Sequence, residues 1–361
     1  MSQKISTELE NELSTIDVTE ELAACPIDFS KSRAANPRVN QKQKDYSEIA
    51  KSNFNDRQKF SPSQAPQFTA SFIDGTLPVE ANRYRLVWAK HCPWATRLAI
   101  AIDLLGLDTV ISKGAVDPLR PAGVVGDWFF TLDDNNIDPV LKTKSLSESY
   151  VKADPNYNLR TTVPALVDVK TGAVVNNDYN SLIDEFAVAW KKYQSSDAPD
   201  LYPVELRDDI DALNKIILMD VNAAVNEAGL ARSQADYEKY YDRVFNRLDW
   251  LEERLSHQRY LFGKEITDTD IRLYVTLSRF DLVFYQKYYV NKKRLIDYPN
   301  LWNYTKDLYS LPAFKDNTDF DAMKKRFYQV DHTPVTDLER IVPKGPDLAI
   351  WNEANDRDRF A

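Results

Sequence analysis

Apolar and polar residues alternate through RYRLVWAK, Arg83 to Lys90, with Tyr84, Leu86 and Trp88 on one face. A period of two predicts a strand. From Pro93 to Leu105 the apolar spacing becomes helical. Pro93 suits the first helical position and Gly106 the stop. TVISKGAV, Thr109 to Val116, is a second strand candidate. A long insertion follows from Asp117 to Thr162, containing GDWFF and DPNYNLRTT. VPALVDVKTGAVVNN then predicts two strands joined at Thr171-Gly172, and a helix follows from about Asn180 to Lys192. The order is strand, helix, strand, insertion, strand, strand, helix, an α/β unit.

That unit spans 67–194 and has about the size of a thioredoxin domain. A linker at 195–202 sits in the turn-rich run YQSSDAPDLYP. From 203 to 330 the pattern predicts an all-helical domain. Leu206, Ile210, Leu213, Ile217 and Val221 share one helical face, and Val244, Leu248, Leu251 and Leu255 share another. ITDTDI predicts a capping box, with Thr267 as the cap, Asp270 reaching back, and Ile266 and Ile271 as the staple. Residues 331–361 form a C-terminal extension. Residues 1–66 are polar and predict an arm, either a plain surface extension or a cap over a partner subunit. Its acidic run, Glu8 to Glu21, predicts a solvated face.

Composition narrows the function classes. The chain has 361 residues, 43% of them hydrophobic and 12% aromatic, enough for a sizeable core in two domains. A formal net charge of −9 argues against a nucleic-acid partner. No stretch approaches the roughly 18 to 20 apolar residues of a membrane span. The two cysteines, Cys25 and Cys92, make no disulfide framework, so a reducing, cytoplasmic compartment is expected. His91, His257 and His332 carry no metal-ligand spacing, so no metal is expected. There is no serine elbow and no glycine-rich phosphate loop.

Cys92 is the chemical candidate. In KHCPWATRL it falls at the N-cap of the predicted helix. Free first-turn N–H groups and the positive end of the macrodipole favour a thiolate there. Lys90, His91 and Arg97 add nearby basic groups. In Cys92-Pro93-Trp94-Ala95, Ala95 stands where a dithiol enzyme keeps its resolving cysteine. A mixed disulfide on Cys92 therefore needs an external thiol, with Cys25 as a remote resolver. The plain alternative is a buried, inert cysteine. Val163-Pro164 matches the place where thioredoxin-like folds carry a cis proline that pairs with a bound thiol peptide. Asn177 and Asp178, before the next helix, could hold the ends of a γ-glutamyl group or simply cap the helix.

Together RYRLVWAKHCPWATRLAI, DWFF, TVPAL, DYNSLIDEF, LDWLEERLSHQRYLFG, RFDLVFYQKYYVNKKRLIDYPNLWNY and IVPKGPDL resemble the Xi-class glutathione transferases, the glutathionyl-hydroquinone reductases. The resemblance spans about Phe68 to Leu348. It implies a thioredoxin-like domain, an all-helical domain and a homodimer. It further implies glutathione as cosubstrate, an aromatic electrophile as partner, and cleavage of glutathionyl-hydroquinones through a mixed disulfide on Cys92. Trp128 matches the tryptophan that packs on glutathione, and Val163 the residue whose backbone pairs with it beside Pro164. Asp178 and Tyr179 fall at the γ-glutamyl site. Tyr285 and Tyr328 fall among the aromatics of the quinone pocket. For Trp128, Tyr285 and Tyr328 core packing is the alternative.

Four departures bear on which substrate fits. His91 replaces the usual Ser, Asp178-Tyr179 the usual Glu-Ser, and Asp127 the Gly before Trp128. Asn226 stands where the family often has an electrophile-site tyrosine. Two other readings follow. One is a related enzyme using another low-molecular-weight thiol or another thioether or disulfide substrate. The other is a non-catalytic binding protein with the same fold.

Overall fold

Among the described residues, the four strands lie between residues 84 and 176, and helices predominate from Arg207 to Tyr328. The computed structural model describes residues 5–16, 65–120, 126–329 and 341–360. Cys25 and His332 lie outside the described residues. β1 (Tyr84–Trp88) pairs parallel with β2 (Ile111–Ala115) and antiparallel with β3 (Ala165–Asp168), which pairs antiparallel with β4 (Ala173–Asn176). The order is therefore β2-β1-β3-β4. All five β1 residues are buried, as expected of a strand covered on both faces. This is a thioredoxin-like sheet followed by a helical domain, the architecture the pattern predicted.

Between β1 and β2 runs α1, Pro93–Leu104. Pro93 occupies its first turn, and Gly106 ends it with a φ of +68°, a conformation that favours glycine. A Cβ on Gly106 would stand 2.8 Å from the Ser195 side chain, because the linker folds back onto this corner. Ser195 N–H donates to Leu105 O at 3.0 Å, and Asp268 N–H donates to Leu201 O at 2.9 Å. The linker is thus pinned to both domains. Every α1 residue from Pro93 to Ile102 is buried, since the sheet lies on one side and the helical domain on the other. The helical domain comprises α2 (Arg207–Ile217), α3 (Ala224–Leu230), α4 (Gln234–His257), α5 (Asp268–Leu277), α6 (Pro299–Ser310) and α7 (Phe320–Tyr328). Helix α5 packs against α1, as do the short helix Pro312–Lys315 and the helix Leu182–Ala189.

One element goes beyond the pattern read, and one expectation is qualified. The insertion holds a helix, Leu146–Ala153, opened by a Ser145/Glu148 capping box. The acidic run near the N-terminus, where it is described, keeps Glu8 and Glu10 exposed and half-buries Glu12, but it is one face of a docked helix. Thr7–Ser14 is a helix that docks on α2, with Leu9 only 1% exposed. Glu12 meets Arg247 at 2.7 Å and Glu8 meets Arg254 at 3.0 Å. Its carboxylates thus find arginines on α4 while its apolar face packs. Leu9→Ala should weaken this docking by about 2 to 3 kcal/mol. Faster hydrogen exchange confined to the Thr7–Ser14 amides is the expected readout.

Candidate functional site

β1 ends at Trp88, and four residues later the chain turns into α1. Cys92 sits at that turn in extended conformation, φ −79° and ψ 117°. Its N–H donates to Ala89 O at 2.9 Å, and its carbonyl accepts from Thr96 N–H at 2.9 Å. The side chain is 6% exposed. When protonated, its Sγ donates to Val163 O at 3.7 Å, and the Val163-Pro164 peptide is cis.

The sulfur makes no hydrogen bond to first-turn amides, contrary to the sequence expectation. Pro93 has no N–H, and Ala95 N–H is spent on the Cys92 carbonyl at 3.2 Å. The nearby basic residues also divide. Lys90 pairs with Asp319 at 3.4 Å. His91 is 5% exposed, and burial, then the charges of Arg326, Arg120 and Arg279, hold its imidazole well below the usual histidine range. His91 is therefore neutral at physiological pH. Arg97 remains cationic. Burial, then Arg272, brings its pKa down to about 9, while Cys92 is among the groups favouring its charged form.

A cleft of about 440 Å³, counted out to open solvent, lies over the sulfur. Trp128, Thr161, Thr162 and Val163 line it with Cys92, together with Arg120, Arg160 and Arg326. No carboxylate is among its described lining residues. Two guanidinium groups lie over the Trp128 ring, Arg120 at 4.1 Å and Arg326 at 5.5 Å, and the His91 ring is 5.4 Å away. Such stacking fixes the indole in place. Asp127 holds the same loop. It is 1% exposed and accepts from Trp128 N–H at 2.8 Å, Ser147 N–H at 3.0 Å and Thr161 Oγ1 at 3.0 Å. The residue standing in for the family glycine thus ties the Trp128 loop to the segment leading into Val163.

Of the sequence candidates, the cleft brings together Cys92, Trp128 and Val163, with Pro164 next in the chain. Asp178 and Tyr179 lie just before the next helix, Leu182–Ala189, and do not line the cleft. Asp178 accepts from Asn180 N–H at 3.0 Å and Ser181 Oγ at 2.9 Å. The Tyr179 ring packs 5.0 Å from Trp94 and 4.8 Å from the Arg97 guanidinium, so the added ring does not fill the space above Cys92. Asn177 is committed to structure, accepting from Phe68 N–H at 3.0 Å and donating to Thr162 Oγ1 at 3.1 Å. Tyr285 and Tyr328 also lie off the cleft lining. Tyr328 donates its hydroxyl to Leu282 O at 3.0 Å. Asn226 is buried within α3 and donates to Asn222 O at 2.9 Å.

Sequence reasoning missed the arginines. Arg120, Arg160 and Arg326 come from distant segments, and no local spacing joins them. Arg279 left a faint signal, as a cation inside the apolar run TLSRFDLVF.

Comparison with known proteins gives a consistent set. A family profile described as the glutathione S-transferase C-terminal domain matches residues 234–307. The chain is 36% identical over 272 residues to glutathionyl-hydroquinone reductase YqjG of Escherichia coli, covering 74% of this chain and 80% of that protein. The glutathione-bound structure of YqjG superposes with a TM-score of 0.70 at 35% identity, over 78% of this chain and 89% of that one. A glutathione transferase from Gordonia bronchialis gives 0.75 at 42% identity, over 81% and 90%. The glutathione S-transferase Xi of Phanerochaete chrysosporium gives 0.73 at 34% identity, over 81% and 99%.

Proposed function

Because the chain belongs to the Xi-class glutathione transferases, the family of the glutathionyl-hydroquinone reductases, we propose that it is a glutathione-dependent thiol reductase acting through Cys92. One observation carries this reading. The Cys92 sulfur faces the Val163 carbonyl at a cis Val163-Pro164 peptide, under a cleft walled by Trp128 and three arginines.

The chemistry then runs in two displacements. Cys92 Sγ attacks the sulfur of a glutathionyl-hydroquinone. The new S–S bond forms as the bond from sulfur to the aromatic ring breaks, and the ring takes the electron pair and a proton. Free hydroquinone leaves. The thiolate of a second glutathione attacks the glutathionyl sulfur on Cys92. Glutathione disulfide is released and the Cys92 thiolate is regenerated. Two glutathione sulfurs are thereby oxidised to the disulfide while the ring is reduced. Trp128 packs on the tripeptide, the Val163 backbone pairs with its cysteinyl unit, and the arginines offset its carboxylates. A homodimer and a cytoplasmic location belong to the same reading.

Mixing the protein with a glutathionyl-hydroquinone and no free glutathione tests it. The expected result is one glutathionyl group added to Cys92 by intact mass, with one hydroquinone released. Excess glutathione should then give multiple turnovers. Hydroquinone release without the adduct would refute the Cys92 route.

The two Asp178 bonds at the helix start favour a second reading, in which another low-molecular-weight thiol serves as reductant. Turnover that rises with a different thiol and not with glutathione would select it.

A further inference from the structure

Arg279 follows α5 and is fully buried. Its guanidinium reaches across to the start of α1. Nε donates to His91 O at 3.1 Å, and Nη2 donates to Thr96 Oγ1 at 3.0 Å. That hydroxyl donates in turn to Cys92 O at 2.9 Å. Nη1 serves Val275 O in the last turn of α5 and Ser278 Oγ just after it. The cation therefore grips both sides of Cys92, yet each of these four hydrogen-bond acceptors is a neutral oxygen. A buried charge ordinarily has a counter-charge, because desolvation is otherwise too costly. Among the described residues, the acidic groups acting on Arg279 are Cys92 first and then Tyr274, with no carboxylate among them. Burial lowers its pKa to about 10, which leaves it charged at neutral pH.

We propose that Arg279, reaching from the helical domain, is the positioning residue whose buried charge holds the Cys92 sulfur as a thiolate. The inference rests on Cys92 being the reacting group. It makes the nucleophile of one domain depend on docking of the other. The other titratable groups around the sulfur are His91, which is neutral, Arg97 on the same helix, and Arg120, Arg160 and Arg326 on the cleft wall. The last three border the open cleft, whereas Arg279 lies behind the first turn of α1.

The test is the pH dependence of Cys92 alkylation in the full-length Cys25→Ser protein. Arg279→Gln keeps side-chain donors and removes the charge. It should raise the Cys92 pKa by about one unit or more. Alkylation below that pKa should slow about tenfold or more. Arg279→Lys should stay within about half a unit of wild type, and so should Thr96→Val, which breaks the hydroxyl relay and keeps the cation. A folded Arg279→Gln protein with a wild-type profile would overturn the proposal. Should that variant not fold, the Lys variant decides. A wild-type profile supports the charge, and a rise as large as one unit overturns it. A shifted profile in Arg279→Gln beside a wild type that turns over no glutathionyl-hydroquinone would leave this inference standing and remove the proposed function.

Discussion

Cys92→Ser is expected to reduce turnover of a glutathionyl-hydroquinone by roughly 10³-fold or more, the scale on which losing a nucleophile acts. The argument is chemical. A serine hydroxyl is scarcely ionised at neutral pH, and an alkoxide–glutathionyl adduct would lack the S–S bond that a second thiol can exchange. The fold should be little affected, because the exchange leaves no larger group to accommodate and the bond lost to the Val163 carbonyl is a long one. Unchanged circular dichroism and melting beside lost turnover is the expected pair of results. Cys25→Ser should keep full activity, since an external thiol resolves the disulfide. Activity retained in Cys92→Ser would move the chemistry to another group. Activity lost in Cys25→Ser would make Cys25 the resolver.

How far the sequence reaches depends on the range of each interaction. β1 and α1 were legible because their periodicity, Pro93 and the Gly106 stop are local. The Thr267/Asp270 box was legible for the same reason. The helix at Leu146–Ala153 carried an equally local cap at Ser145 and Glu148, but a short helix inside a polar insertion has too little apolar period to stand out. The Thr7–Ser14 helix was hidden because its stabilising partners, Arg247 and Arg254, lie more than two hundred residues away in sequence. The site divides similarly. Cys92 and Val163-Pro164 announce themselves by position in an element. The arginine wall and Arg279 arise only when both domains are folded. The Asp178-Tyr179 departure bears on which substrate fits, and only the fold shows that the Tyr179 ring packs on Trp94 and Arg97.

The largest stability effect is expected at Asp270. Its carboxylate is fully buried and collects four donors. Thr267 N–H and Thr267 Oγ1 approach one oxygen at 2.8 and 3.0 Å, while Leu261 N–H and Tyr304 OH each approach the other at 2.9 Å. The group therefore caps α5, fixes the turn before it and ties α6 to both. Asp270→Ala strands these donors where water does not reach, at an expected cost of about 3 to 5 kcal/mol. That is a large share of the roughly 5 to 15 kcal/mol by which domains are stable. Asp270→Asn should cost less. The tyrosine hydroxyl can rotate to accept from the new amide group, leaving Leu261 N–H as the donor that faces another donor. Urea midpoints should therefore fall in the order wild type, Asn, Ala. Because α5 packs against α1, fraying its first turn should also loosen the support beneath Cys92. Alkylation of Cys92 in sub-denaturing urea should rise earliest in the Ala variant. An Ala variant with the wild-type midpoint would mean that the four donors find other acceptors and that the box does not hold α5, its turn and α6 together.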